Sequence, residues 1–267
     1  MPLSPQINRR VPNAFFTTAP LHRWLLGESA SPHANIGSAA SALAISNTGS
    51  VGGGSVTRAT RAVVADGARF FQSATSDRAV IYTPNPAAGD IVTGTALTFM
   101  LWVQYLRLAT DQTGAFCKTY DSDLTAFSNP GFQTWGIGIN SSFQHQAAVV
   151  CGTNGSGTRV GASSGQAVPL GVWQHLAGTY DGANVRLYVN GAEVAKSAQT
   201  GNIDNNTAVH SNSGGPYAVG GHPTSNSGGN AFQSSFTAED AMIFAATVTE
   251  AQIREYVQRT VGLFRGA

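Results

Sequence analysis

Few folds can accommodate the stretch WQHLAGTYDGANVRLYVNGAEV, residues 173–194. Asn190-Gly191 follows an alternating apolar run. A two-residue type I′ hairpin needs positive φ at both central positions, which Asn and Gly accept most readily. Asp181-Gly182 marks an earlier tight loop. The stretch therefore reads as three strands in a meander. In NVRLYV, Val185, Leu187 and Val189 point inward, with Arg186 and Tyr188 on the opposite face. In WQHLAGTY, Trp173, His175, Ala177 and Thr179 share one face, and Gln174, Leu176, Gly178 and Tyr180 share the other. Apolar groups stand on both faces, so this strand is expected to be covered on both sides. A meander with such a buried face needs a second sheet.

The rest of the chain punctuates in the same way. Residues 21–29, 61–71, 78–83, 114–120, 132–140 and 146–152 read as strands at the spacing of a sandwich. ALTFMLWVQYLRL (96–108) is almost continuously apolar, as a strand buried on both faces would be. SNTGSVGGGS (46–55) reads as a flexible loop. Thr249 followed by Gln252 forms a capping box, with Val248 and Ile253 at the staple positions. The helix it opens places Ile253, Tyr256 and Val257 on its apolar face, and Gly262 ends or follows it. Residues 1–20 hold Pro2, Pro5, Pro12 and Pro20 and read as an extended arm containing Arg9, Arg10, Phe15 and Phe16.

Charge limits the partners. Charged residues make up only 11% of the chain and the formal net charge is +1. The polar surface must come from Ser, Thr, Asn, Gln and the 31 glycines. Without a basic run, nucleic-acid binding by phosphate neutralisation is not expected. No apolar stretch is long enough for a membrane span. The N-terminal residues lack the basic-then-apolar order of a signal peptide, which points to a cytoplasmic origin. Cys117 and Cys151 are separated by one whole strand, hence by about 9–10 Å across the sheet, too far for a bridge. Both are expected to be buried thiols.

VPLGVWQHLAGTYDGANVRLYVNGAEVA resembles the core signature of laminin-G-like domains, in the concanavalin A-like lectin/glucanase superfamily. Its elements are Trp and His two apart, a Tyr-Asp-Gly turn, an aromatic-Val strand and Asn-Gly. LHRWLLGES, ADGARFFQSATSDRAVI, LTFMLWVQ, AVGGH and AEDAMIFAATVTEAQI resemble the other strands and the closing helix in the family's order. The likeness runs over roughly residues 20–260. The resemblance implies an all-β fold: a two-sheet antiparallel jelly-roll sandwich spanning 21–260, with a short C-terminal helix. The extended N-terminal arm is 1–20, and 261–267 forms a tail. IREYVQRTVGLFRGA resembles the ends of laminin-G-like proteins of tailed bacteriophages through Tyr256, Leu263 and Phe264. Thr260-Val261 stand where that pattern has Pro and an aromatic.

These likenesses set the functional expectations. The first is a non-enzymatic phage virion surface protein, assembled in the bacterial cytoplasm, that decorates or cements the capsid. Its arm residues Arg9, Arg10, Phe15 and Phe16 would dock capsid or other virion proteins, with oligomerisation in the assembly. The alternative is a lectin-like module of a tail or head fibre that contacts host surface glycans. A glycanase is disfavoured. Its chemistry needs carboxylates at alternating strand positions, about 5 Å apart for retaining hydrolysis. Asp121-Ser122-Asp123 supplies only two acids, in a loop-like setting. Calcium is the candidate metal, since hard cations take oxygen ligands, and Asp121, Asp123 and Asn129 could provide them. The alternative for those residues is an Asx-turn loop.

The remaining motifs read as structural. Gly161-Ala162-Ser163-Ser164-Gly165 matches G-x-S-x-G but is followed by another strand, whereas a nucleophile elbow needs a helix. His175 reads as structural, and His22, His145, His210 and His222 as surface or loop residues. Trp24, Trp102 and Trp173 belong to core strands, with Trp135 left open. Residues 204–230 read as either a polar binding loop or plain linker.

Overall fold

The computed structural model describes residues 12–26, 35–39, 47–51, 55–59, 67–71, 78–83, 86, 90–108, 113–119, 133–152, 157–204, 217–220 and 235–264. They form a sandwich of two antiparallel sheets. The first sheet runs in the order β13 (Ala192–Ala198), β12 (Asn184–Val189), β11 (Trp173–Tyr180), β6 (Leu97–Arg107), β15 (Ser235–Phe244), β4 (Gly67–Phe71) and β3 (Ser55–Ala59). Its eighth strand, β1 (His22–Trp24), also pairs with β15. The second sheet has seven strands: β10 (Thr158–Ala167), β9 (Gln144–Cys151), β8 (Gln133–Ile139), β7 (Thr113–Thr119), β14 (Tyr217–Val219), β5 (Arg78–Tyr82) and β2 (Asn47–Val51). The one α-helix among the described residues is α1 (Glu250–Thr260).

The meander forms as its sequence demands. Asn190 and Gly191 both have positive φ, 53° and 85°. The Asn190 side chain accepts the His175 backbone N–H at 2.9 Å, tying the turn back to β11. Gly191 is required twice over, because a Cβ there would come within 2.9 Å of the Arg254 Cα on α1. The earlier turn is held by the Asp181 carboxylate, which accepts the N–H groups of Ala183 and Asn184.

Between the sheets lies the main core, where Leu97, Phe99, Leu101 and Val103 of β6 meet Trp135 and Ile137 of β8. Trp135 is fully inside, stacked on Phe99 with ring centroids 4.7 Å apart. The other face of β6 and β11 carries Met100, Trp102, Trp173 and Ala177 into a second apolar cluster beneath α1. There Ile253, Tyr256 and Val257 come down from the helix as its amphipathic pattern requires. The capping box at Thr249 and Gln252 is present, and Val248 joins the same cluster.

Several expectations are revised. Residues 47–51, expected within a flexible loop, form β2, and β3 begins at Ser55. An edge strand takes its hydrogen bonds from one neighbour, here β5, so Gly and Ser content does not prevent pairing. His22 and His145 are buried, not surface residues. His22 stacks on Trp24 and bonds through Nε2 to the Asp90 carbonyl at 2.8 Å. His145 Nε2 meets Gln174 Oε1 at 2.8 Å. The end of the expected arm is folded: Asn13–Phe15 form a 3₁₀ turn, and Phe16 packs on Phe244 and Tyr256. The expected tail does the same, since Phe264 stacks on Trp102 with centroids 4.2 Å apart. Cys117 and Cys151 are free and buried, on β7 and β9 with β8 between them, as expected. Burial pushes the Cys117 thiol up to about 12.

Candidate functional site

Each sheet has one face turned away from the main core. On the eight-stranded sheet this face is closed by α1 and residues 12–16. A buried ion pair locks the closure. Asp240 sits at a β-bulge with φ 51°. Its carboxylate accepts Arg23 Nε and Nη2, each at 2.7 Å, and the Tyr256 hydroxyl at 2.6 Å. Arg23 Nη1 also donates to the Asn13 side chain at 2.9 Å. Burial opposes the Arg23 charge, but the Asp240 carboxylate outweighs it and raises the guanidinium above its ordinary value. His175, between Trp102 and Tyr256, is pushed down to about 3 by burial and is held neutral. A cavity of about 480 Å³ opens at the helix end, lined by Gln104, Trp173, Asn190, Arg254, Gln258 and Phe264 among others. Arg254 there already meets Glu250.

The seven-stranded sheet carries different chemistry on its outward face. Register and alternation settle which residues share that face. Ala162 and Val149 face the core side of β10 and β9, so Arg159, Gly161 and Ser163 on β10 face outward. Their cross-strand partners on β9 are Val150, Ala148 and Gln146. On β8, Gly136 and Gly138 stand beside Ala148 and Gln146 and add no side chain. At the β9–β10 end the strip becomes half-buried and polar.

The polar groups form one chain. Arg159 Nη2 donates to Gln146 Oε1 at 3.0 Å. Gln146 Nε2 donates to Ser163 Oγ at 3.0 Å, and Asn140 Nδ2 donates to the same oxygen at 3.2 Å. Ser163 Oγ accepts both bonds, so its own O–H is directed elsewhere. Asn140 is fixed by an Asx turn in which its Oδ1 accepts the N–H groups of Ser142 and Gln144. Gly161 has a steric reason: a Cβ there would meet Gln146 Nε2 at 2.7 Å and push the amide out of line. Burial pushes the Arg159 guanidinium below its ordinary value, with no carboxylate opposing that shift. Its Nε is closed off from solvent and has no acceptor.

The residues singled out from sequence fare unevenly. Asp121, Asp123 and Asn129, the calcium candidates, lie outside the described residues, as do Arg9 and Arg10. Among the described residues no group of three or more His, Cys, Asp or Glu side chains is placed to hold a metal. Phe16 is buried and unavailable for docking a neighbour, while half-buried Phe15 lies under the Arg259 guanidinium at 4.9 Å. The G-x-S-x-G residues run along β10, with no strand-to-helix elbow. Gln146, Arg159 and Asn140 were missed. The alternation of TRVGASSG held the signal for β10, but nothing local in the sequence names Gln146 as its neighbour. Lys118 was also missed: it is fully buried beside Tyr217, and burial pushes it down to about 7.

A family profile described as the concanavalin A-like lectin/glucanases superfamily matches residues 73–254. The chain belongs to this superfamily. No curated protein matches it in sequence. Among solved structures the superfamily member is similar to domain 4 of AbnA, a GH43 extracellular arabinanase from Geobacillus stearothermophilus, in complex with arabinotriose. That match has 16% identity and a TM-score of 0.56, covering 90% of this chain and 99% of that one. It is also similar to the binding domain of Paraclostridial Mosquitocidal Protein 1, at 11% identity and TM-score 0.55, covering 88% of this chain and 51% of that one. The binding domain of Botulinum Neurotoxin DC in complex with SialylT matches at 10% identity and TM-score 0.52, over 90% of this chain and 51% of that one. The chain thus spans about half of each toxin binding domain. These likenesses show the fold.

Proposed function

We propose that the protein is a non-enzymatic carbohydrate-binding module that holds a glycan on the outward face of β8, β9 and β10. The observation that carries this reading is the chain Arg159–Gln146–Ser163–Asn140. Amides, a hydroxyl and a guanidinium together offer both donors and acceptors, which is what vicinal sugar hydroxyls require. The strip carries no carboxylate among its described residues, so it suits holding a sugar and not cleaving it. The similar domains whose structures contain arabinotriose and SialylT add support at the level of fold.

On a virion, the setting that the likeness to phage-encoded domains suggests, this strip would meet host glycans. The capsid-decoration alternative relies on the arm, and Phe16 is taken up by the domain's own second cluster. The glycan reading uses side chains already arranged on the surface.

A glycan array followed by calorimetric titration tests the reading. Ser163→Ala combined with Gln146→Ala should weaken binding by about tenfold while the β-sheet signal in circular dichroism is kept, since each removed hydrogen bond contributes about 0.5–1.5 kcal/mol. Failure to bind any glycan on the array would sink it.

A further inference from the structure

We propose that the bound glycan carries a carboxylate, and that Arg159 is the residue that pairs with it; this rests on the glycan-binding reading above. The molecule itself supplies the comparison. Arg23 is held by Asp240, Arg186 by Asp181 and Glu193, Arg254 by Glu250 and Arg259 by Glu255. Even the exposed Arg254 and Arg259 meet an acid. Arg159 is more enclosed than either, yet its hydrogen bond goes to a neutral amide.

A half-buried cation without a counter-charge is costly, and a guanidinium matches a carboxylate better than any other common group. On β10, Arg159 and Ser163 stand four residues apart on one face, a span of about 13 Å. Gly161 between them leaves Gln146 lying across the gap. A short oligosaccharide can therefore place an acidic ring at Arg159 while its hydroxyls meet Gln146 and Ser163. An acidic peptide would satisfy Arg159 but leave that hydroxyl-matching part of the strip unused.

The test uses matched saccharides that differ in the acid: sialyllactose with lactose, and trigalacturonate with its carboxyl-reduced trisaccharide. Sulfated lactose serves as the arm for a non-carboxylate anion. Calorimetry on the full chain should show at least one acidic member bound tenfold or more tighter than its neutral partner, with the preference shrinking as salt is added. Arg159→Gln should abolish that preference, bringing the acidic member's affinity down to that of its neutral partner. Gln146→Glu is the second variant. It places a carboxylate where Oε1 now lies 3.0 Å from Arg159 Nη2, filling the site from within. Acidic binding should be lost while the melting temperature rises.

Equal binding of acidic and neutral partners would overturn the carboxylate assignment and leave glycan binding standing. So would an acidic preference that survives Arg159→Gln. Sulfated lactose matching or exceeding the carboxylates would overturn the choice of carboxylate. No binding of any saccharide would overturn the glycan reading and this inference together.

Discussion

The two outward faces of this sandwich treat the same side chain in opposite ways. On the eight-stranded sheet, Arg23 is buried under a helix with both donors of one guanidinium edge on Asp240. On the seven-stranded sheet, Arg159 lies half-buried against an amide, and its Nε has no acceptor. The first arrangement closes a surface, with Phe16, Trp102, Tyr256 and Phe264 completing an apolar seal. The second leaves a charge that the described protein does not neutralise. Within one small domain the pairing of an arginine therefore separates a structural surface from a candidate binding surface.

The comparison can be broken most directly at Asp240. Asp240→Asn keeps the shape and leaves Arg23 buried without its counter-charge, so denaturant unfolding should show a loss of about 3–5 kcal/mol. Phe16→Ala should cost about 3 kcal/mol by leaving a cavity against Phe244 and Tyr256. A value near zero would return residues 12–20 to the role of a free arm.

Acid should weaken the sandwich through its buried histidines. Burial pushes His175 down to about 3 and His145 down to about 4. Both values lie below that of the unfolded chain, which then binds more protons. Stability is therefore complete above about pH 6.5 and falls as the pH drops, by about 2 kcal/mol per histidine at pH 5. Melting curves from pH 7 to pH 5 should show this decline, and His175→Phe should roughly halve it. A Tm that does not move over that range would contradict the burial of both rings.

Smaller effects sharpen the contrast. Thr249→Ala removes the helix cap and should cost about 1 kcal/mol, loosening the sealed face only. Arg159→Gln should change stability by less than about 0.5 kcal/mol or raise it slightly, because no internal ion pair is lost. A large loss in that variant, comparable to Asp240→Asn, would make Arg159 a structural residue.

Much of the fold was legible because its signals are local. Asn190-Gly191, the Thr249 capping box and the two-sided apolar pattern of β6 each act over a few residues, and each appears where expected. What was misread depended on distant neighbours. His22 looks like a loop residue until Trp24 stacks on it and the Asp90 backbone carbonyl accepts a hydrogen bond from its Nε2–H. Phe16 follows a proline-rich stretch, and only the folded helix supplies Phe244 and Tyr256 around it. The strip on β9 and β10 was invisible for the same reason, since Gln146 and Ser163 come together through register.

By itself, the amino-acid order determined the strand periods, the turn positions and the capped helix, because φ preferences and side-chain alternation are properties of short segments. It also determined that two separated thiols would stay unbridged. Arg254 and Arg259 find their acids one helical turn away, but tertiary structure decided whether Arg23 and Arg159 meet one. Asp240 lies 217 residues from Arg23, and only the pairing of β1 with β15 brings them to 2.7 Å. No strand delivers a carboxylate to Arg159 among the described residues. Ion pairing depends on distance in space, and sheet order sets that distance.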